Sequence, residues 1–549
     1  MKKKFLLILF LLVSIKGFSQ SISVGDNYAQ EIARIHQILG EGDSVSSFTI
    51  RPINLIHDSL LNRLVGGRNL LSDSSSKSSA IRLLPLSLQN DFNLNRPYGY
   101  NNSSLYPNRG LQTRLSGGFF IKASIFRLQF KPELLYAQNK TFETFADVQG
   151  NNNNPALLRA YFETVNGIDA PEQFGNGSIT HFFPGQSKIT INVANIEAGI
   201  STENLWWGPG VQNAIMMSNS APGFLHWTLN SVKPMQTGIG SFEWQLIGGE
   251  LKQSGYLPTD IHKLVYADGL YVPKPAIKRY VSAFTVNWHP KWVEGLFLGF
   301  TAYDYLNRDS AFHQRGIISK LVPVFIGSSV NANAVTNATH GDGQDFAYAL
   351  NIRQVLTKYN AEIYFEWARN DRTGSLNDFL QEPEHASAYT VGGRRLFNLA
   401  KDRYLQIKFE LTHLQNPPTY LLRGEPTWYV HLTDPRDGYT NDGRYLGAGI
   451  GPGSNSLMWD ISYLKGQSSF GLTVERLVHN NDLYYYAFAG TGIFNQHWVD
   501  LANTFYTNLK MSNYLISAEL TPVYSLNYQY KSGNSFNLHA RINFTWYFN

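Results

Sequence analysis

Just before its last residue, Asn549, the chain runs Leu538-His539-Ala540-Arg541-Ile542-Asn543-Phe544-Thr545-Trp546-Tyr547-Phe548. Leu538, Ala540, Ile542, Phe544, Trp546 and Phe548 are apolar or small and alternate with His539, Arg541, Asn543, Thr545 and Tyr547. A two-residue period sends successive side chains to opposite faces of a strand, so this stretch reads as a strand with one greasy and one hydrophilic face. Upstream, Tyr524, Leu526, Tyr528 and Tyr530 share one phase against Ser525, Asn527 and Gln529, and Lys531-Ser532-Gly533-Asn534 supplies a turn. The same rhythm recurs in Leu405-Gln406-Ile407-Lys408-Phe409-Glu410-Leu411-Thr412. It recurs again where Ala361, Ile363, Phe365 and Trp367 alternate with Glu362, Tyr364, Glu366 and Ala368. From about residue 83 to 549 it is the dominant pattern.

Alternation alone fits a soluble sandwich or propeller as well as a membrane barrel. Two features favour the barrel. Aromatic residues crowd toward strand ends, as girdle residues do, and tight turns alternate with long polar loops. His289-Pro290-Lys291-Trp292 and Lys531–Asn534 are short, whereas residues 139–187, 306–346 and 428–456 are long. Short turns belong on the periplasmic side and long loops outside. Lys408, Glu410, Glu362, Glu366 and Arg541 would then line a polar lumen. At ~9–11 residues per spanning strand, residues 83–549 supply on the order of 14–18 strands, an even number in a bacterial barrel. Pro522 interrupts the apolar phase of its strand and belongs at a bulge or strand end.

The start of the chain agrees with export. Lys2, Lys3 and Lys4 precede an apolar run from Phe5 to Ile15, and Gly17-Phe18-Ser19 offers a small-x-small site before Gln20. Residues 1–19 read as a signal peptide, since about eleven apolar residues fall short of the ~20 that a membrane-spanning helix needs. No later stretch is apolar enough to span as a helix. Asp26 caps a helix carrying Tyr28, Ile32, Ile35, Ile38 and Leu39, and Gly40 ends it. A weaker apolar run covers Leu55–Leu64, and serines fill the connector over 67–80. Residues 20–82 thus read as a partly helical periplasmic segment with a linker, too poor in apolar residues to form a core of its own.

Composition excludes several classes of chemistry. There is no cysteine, which rules out disulfides, thiol nucleophiles and Cys-ligated metals. The net charge is +5, but without the four lysines of the signal the chain holds 42 basic and 41 acidic residues, leaving no cationic excess for nucleic acid. No two of the fourteen His fall within five positions, so zinc spacings such as H-E-x-x-H are absent. There is no G-x-S-x-G elbow, and in Gly447–Gly453 Pro452 takes the place of the third glycine of a dinucleotide loop. Asp434, Asp437, Asn441 and Asp442 offer oxygen ligands without EF-hand spacing, and such clusters ordinarily build turns. Glu362 and Glu366, four residues apart on one strand face, are roughly 13 Å apart at strand rise, too wide for a glycosidase pair. Nothing asks for a cofactor.

One stretch is dense in recognition chemistry: Glu203-Asn204-Leu205-Trp206-Trp207-Gly208-Pro209-Gly210, continuing through Met217–Phe224, His226-Trp227 and Gly240-Ser241-Phe242-Glu243 to Ser254-Gly255. A Trp pair beside a Gly-Pro-Gly bend is a flat apolar platform on a stiff backbone. Sugars lay their C–H faces on such rings while their hydroxyls need fixed donors and acceptors. Trp206, Trp207 and Trp227 are the candidate stacking residues, with Glu203, Asn204, His226 and Glu243 as hydrogen-bonding partners. The competing reading makes the three tryptophans interface-belt or lumen-packing residues.

These residues also carry a resemblance. Asn204–Gly210 (NLWWGPG), Met217–Phe224 (MSNSAPGF), Gly240–Glu243 and Ser254-Gly255 resemble the capsule assembly Wzi family of outer-membrane proteins, in its Bacteroidetes-type branch. Ile50-Arg51-Pro52, Pro132–Asn139, Gly438-Tyr439-Thr440, Gly443-Arg444, Gly447 and Gly451–Ser456 agree with it. The resemblance implies an all-β, eighteen-stranded barrel in the cell outer membrane with a small helical element at its periplasmic end. It further implies a non-enzymatic lectin that holds capsular or exopolysaccharide to the cell surface. Outer-membrane lipid and the barrel-assembly machinery are the other expected partners; barrels commonly end on an aromatic residue for that machinery, and here Phe548 is penultimate. The alternatives are a porin or channel for small solutes, which bilayer conductance would reveal, and an outer-membrane hydrolase, for which no catalytic spacing is present.

Overall fold

The computed structural model describes residues 21–42, 44–54, 69–71, 79–151, 154–309, 344–370, 380–417, 424–425, 427–488 and 491–548. The signal peptide, the apolar run Leu55–Leu64 and most of the serine-rich connector lie outside them.

The period-two segments become eighteen spanning strands in one antiparallel sheet that closes on itself. The first six are β1 (Ser79–Asn93), β2 (Gly110–Ala123), β3 (Phe126–Phe130 with Glu133–Ala137), β4 (Ile179–Phe183 with Lys188–Val193), β5 (Ile196–Ser201) and β6 (His226–Ser231 with Met235–Thr237). Then come β7 (Gly240–Leu251), β8 (Arg279–Pro290), β9 (Leu296–Asn307), β10 (Asp345–Leu356), β11 (Ala361–Asn370) and β12 (Ser387–Ala400). The wall finishes with β13 (Arg403–His413), β14 (Asn455–Lys465), β15 (Ser468–Val478), β16 (Val499–Met511), β17 (Tyr514–Leu526) and β18 (Asn534–Trp546). Closure runs from His539↔Asn93 to Trp546↔Leu86, so the C-terminal strand read first in the sequence is the one that seals the cylinder against β1. Pro522 has no N–H to give, and the β16–β17 ladder lapses beside it, between Ala502↔Val523 and Phe505↔Leu520.

The two faces decide between a barrel and a soluble sandwich. Outward residues such as Ile189, Ile200, Leu350, Ile363, Ile461, Phe470, Phe505 and Ile542 are exposed, while the inward Arg353, Glu362, Glu366, Glu410 and Asp460 are buried. A water-soluble protein distributes its residues the other way. An apolar outer band around a polar interior is stable when lipid surrounds it, and closure leaves no unpaired edge in the hydrocarbon. The chain is an outer-membrane β-barrel.

All eight tight connections, from Ser124-Ile125 to Ser512-Asn513, lie at one end. Ala194 and Asn195 both take positive φ there, the backbone that matches a two-residue hairpin to strand twist. The long connections gather at the other end. One expectation is corrected: the short turn Lys531–Asn534 lies at the long-loop end rather than the periplasmic one. β17 leaves the tight turn Ser512-Asn513 and therefore finishes among the long loops, whatever the length of the link to β18. Its neighbours confirm the placement, because Tyr528 OH donates to Glu143 O and Gln149 Nε2 to Gln529 O.

The lumen is filled from both ends. Helix α1 (Asn27–Ile38), capped by Asp26 Oδ1 accepting from Ala29 N, lies inside the wall near the tight turns. Its Ile35 and Ile38 pack on Phe297, Val355, Leu396 and Leu464. From the loop end, residues 202–225 fold inward, and Trp206-Trp207 pair antiparallel with Ile50-Arg51. Among the described residues three more helices decorate the outer loops: α2 (Phe145–Gln149), α3 (Pro155–Asn166) and α4 (Asn481–Phe488).

Candidate functional site

The Trp-Trp-Gly-Pro-Gly stretch is anchored by wall carboxylates. The backbone N–H groups of Val211 and Asn213 donate to Glu410 at 2.7 Å each, with Gln212 N at 3.2 Å. Gly208, at φ +134°, sits against the Glu366 carboxylate, and a Cβ there would lie 2.9 Å from Oε2. Only glycine accepts both that backbone and that approach. Trp207 has no exposed surface; its Nε1 donates to Gln245 Oε1 at 3.0 Å and its backbone N to Met217 O at 2.9 Å. Ser218 N in turn donates to Leu446 O, and Tyr429 OH to Ile215 O. Residues 50–52, 204–224 and 438–450, far apart in the chain, thus converge on one plug.

The sequence-derived candidates divide among five environments. Trp206, 4% exposed, has the Arg51 guanidinium 5.0 Å from its ring centroid and lines a lower lumenal chamber of about 560 Å³. Trp207 is sealed in the plug core. Trp227 is half-buried on the outer surface of the wall, in the phase of the exposed Ile200 across the ladder, and its Nε1 donates to Tyr280 OH at 2.9 Å. Asn204 is locked by Gln186, Ala221, Gly223 and Ser103.

Glu203, His226 and Glu243 do come together. They line a separate internal cavity of about 60 Å³. Glu203 is paired with Lys188 at 3.3 Å and accepts from Ser21 Oγ at 2.8 Å; His226 Nδ1 lies 2.8 Å from Phe224 O; Glu243 accepts from Ser47 N at 2.7 Å. That volume takes a few waters and no sugar ring. The platform expected from sequence is therefore dispersed: its three tryptophans face a chamber, a core and the outside.

The possible calcium cluster is taken up by arginines: Asp434 by Arg436 (2.8 Å), Asp437 by Arg279 (3.3 Å) and Asp442 by Arg444 (2.6 Å). Among the described residues no group of three or more His, Asp or Glu is placed to hold a metal.

A different place combines open aromatic faces with fixed polar groups. Between the outer loops lies a vestibule of about 310 Å³, within the size range of ligand sites. Half-buried Tyr98, Tyr100, Phe142, Tyr445, Trp498 and Tyr528 line it. Trp498 and Tyr528 are held by their neighbours. His479 stacks on Trp498 with centroids 3.8 Å apart and 17° between planes, and Asp500 fixes both, accepting Trp498 Nε1–H at 3.2 Å and facing His479 Nε2 at 2.9 Å. Tyr528 meets Trp498 edge-on at 5.1 Å and carries the Arg96 guanidinium 4.6 Å from its centroid. Arg444 lies 4.6 Å from the Tyr106 centroid while donating to Ser104 O and Leu105 O, both at 3.0 Å. Glu172 closes the wall, accepting from Phe145 N (2.8 Å), Tyr161 OH (3.1 Å) and Gln529 Nε2 (3.2 Å). Burial pushes its carboxyl up to about 7.

The family model for the capsule assembly protein Wzi matches residues 109–513, about three quarters of the chain. The chain belongs to the Wzi capsule assembly family. Among solved structures, Wzi of Escherichia coli, described as a carbohydrate-binding β-barrel involved in group 1 capsule assembly, is similar with a TM-score of 0.58 and 11% identity. The likeness covers 95% of this chain and 98% of that one. OccAB2 of Acinetobacter baumannii is similar with a TM-score of 0.41 and 10% identity over 87% of this chain and 100% of that one. OccAB4 of the same organism gives a TM-score of 0.37 and 8% identity over 86% of this chain and 99% of that one. No curated protein sequence matches the chain.

Sequence reading missed the vestibule of this Wzi-family barrel because its residues come from at least five separate connections. The signals were present: Arg96-Pro97-Tyr98-Gly99-Tyr100-Asn101-Asn102 and His497-Trp498-Val499-Asp500 mix aromatics with polar groups. They are indistinguishable, one at a time, from girdle residues.

Proposed function

We propose that this Wzi-family barrel is a non-enzymatic polysaccharide-binding protein that holds capsular or exopolysaccharide at the cell surface, and that the outer vestibule is its sugar site. One observation carries the reading: six half-buried aromatic rings and a set of paired polar groups converge on about 310 Å³ at the loop end. Rings held by neighbours present their faces at little entropic cost, and Asp500, Glu172, Arg96 and Gln529 supply donors and acceptors at fixed positions. The description of the E. coli structure as carbohydrate-binding supports the ligand class. A long polymer offers the same repeat many times, so weak single contacts suffice for retention. In this reading Trp207 and the carboxylates beside it build the plug that shapes the vestibule floor, and Trp206 belongs to the lower chamber.

The test is Trp498→Ala combined with Tyr528→Ala. Cell-bound polysaccharide and glycan-array binding by purified protein should both fall, with the barrel still migrating as a folded, heat-modifiable species. Unchanged retention by a correctly inserted double variant would remove the vestibule from consideration.

A further inference from the structure

Among the described residues two large chambers lie in the lumen. The lower, about 560 Å³, runs from α1 to the exposed periplasmic turn Gly466-Gln467; the upper is the vestibule. Among the described residues Tyr98, Gly99 and Tyr100 are the ones that line both. The partition is thin. Asp91 lines the upper chamber, Arg541 the lower, and their side chains meet at 2.7 Å.

The segment forming it, Pro97–Asn101, is a strap laid over the plug, with only the Tyr100 ring packed against the plug core. Among the described residues it makes no backbone–backbone hydrogen bond. Side chains hold it instead: Tyr100 OH donates to Glu475 and accepts from Gln212 Nε2 at 3.0 Å, while Asn101 Nδ2 donates to Gln212 O at 2.6 Å and its carbonyl accepts from Asn219 Nδ2 at 3.0 Å. Between the two tyrosines Gly99 is exposed at φ +94°. The lower chamber is lined by Glu31, Lys408, Asp460, Tyr506 and Glu519, groups that keep water when the path is open.

We infer that this barrel contains a latent water-filled path across the outer membrane, closed by the Tyr98-Gly99-Tyr100 strap, and that displacing the strap lets water and small inorganic ions through. This activity is separate from polysaccharide retention. The polar chambers need no rebuilding; what opens is a short segment tied by side-chain hydrogen bonds, and a narrow constriction of this kind gates conduction without moving the wall.

Planar-bilayer recordings of the full-length protein in potassium chloride test this. The native barrel should carry rare, brief openings at most. Tyr98→Ala with Tyr100→Ala should raise mean current per inserted barrel by about tenfold or more. Tyr100→Phe keeps the ring and removes the hydroxyl that Glu475 and Gln212 hold, so it should raise the frequency of openings in a barrel whose insertion is undisturbed. Inserted, heat-modifiable variants as silent as the native protein overturn the inference, as does a native barrel that already passes the same steady current as its variants. Because Tyr98 and Tyr100 also line the vestibule, retention is judged on the Trp498→Ala, Tyr528→Ala double variant and current on the strap variants, so the two proposals fail separately.

Discussion

Arg34 Nε lies 2.7 Å from Glu362 Oε1, which ties the N-terminal helix to the eleventh strand of the wall deep inside the barrel. Arg353 and Arg394 converge on the same carboxylate at 2.6 and 2.7 Å, and Arg394 passes on to Glu31 of the helix at 2.8 Å. The helix is thus a built-in part of the lumen. Buried charges of this kind stabilise by completion: each is tolerable because the others are present.

Glu362→Gln should therefore cost more than any single arginine substitution. It leaves three guanidinium groups around a neutral amide, a loss of about 3–5 kcal/mol. Heat unfolding in detergent, read from the gel shift of unboiled protein, should show a clearly lower midpoint. Arg34→Met, which leaves Glu362 with two partners and fills the volume, should lower it less.

Trp207 and the vestibule aromatics should respond in opposite ways. Trp207→Ala empties a fully buried site and should cost about 3–5 kcal/mol of stability, while barrels that do fold bind polysaccharide at close to native affinity. Trp498→Ala removes an open face and should weaken binding by about tenfold per ring, near 1.4 kcal/mol, with little change in the unfolding midpoint. Equal losses of stability and affinity in both variants would contradict the assignment.

Glu172 makes the vestibule wall pH-dependent. Its carboxyl, raised by burial from an ordinary 4.5 to about 7, is protonated in the folded loop where an unfolded chain would be ionised. The stabilisation is complete below about pH 4.5 and is lost as pH rises through about 7. Because part of the residue faces the vestibule, on the order of 1–2 kcal/mol is expected. Amide exchange at Phe145 and along α2 should be slower at pH 5 than at pH 8, and Glu172→Gln should flatten the difference.

Ile352 lies on the lipid face, exposed in the absence of a membrane. Ile352→Arg should cost about 2–4 kcal/mol if its depth is near the bilayer midplane, measured by equilibrium unfolding from lipid vesicles. In detergent-free aqueous buffer the same change should improve solubility. A variant as stable in vesicles as the native barrel would argue against lipid on this face.

Much of the architecture was legible in the alternation of residues 361–368, 405–412 and 538–548, because a strand's two faces are set by neighbours two positions apart. The helix cap at Asp26 was legible for the same local reason, and the polar lumen followed from Glu362, Glu366, Lys408 and Glu410. The side of the membrane on which Lys531–Asn534 lies was not, since turn length is a weaker guide than strand parity.

The sequence by itself determined a closed barrel with lipid outside, and its quoted motifs already pointed to the Wzi family. Only the tertiary structure decided which aromatic rings are open. Trp207 is sealed because Ile50-Arg51, more than 150 residues away, pairs across it, whereas Trp498 stays open because His479 and Asp500 hold it from behind. Both rings sit in similar local company. Whether a face is covered depends on what the rest of the chain lays over it, and that is a long-range property no local pattern carries.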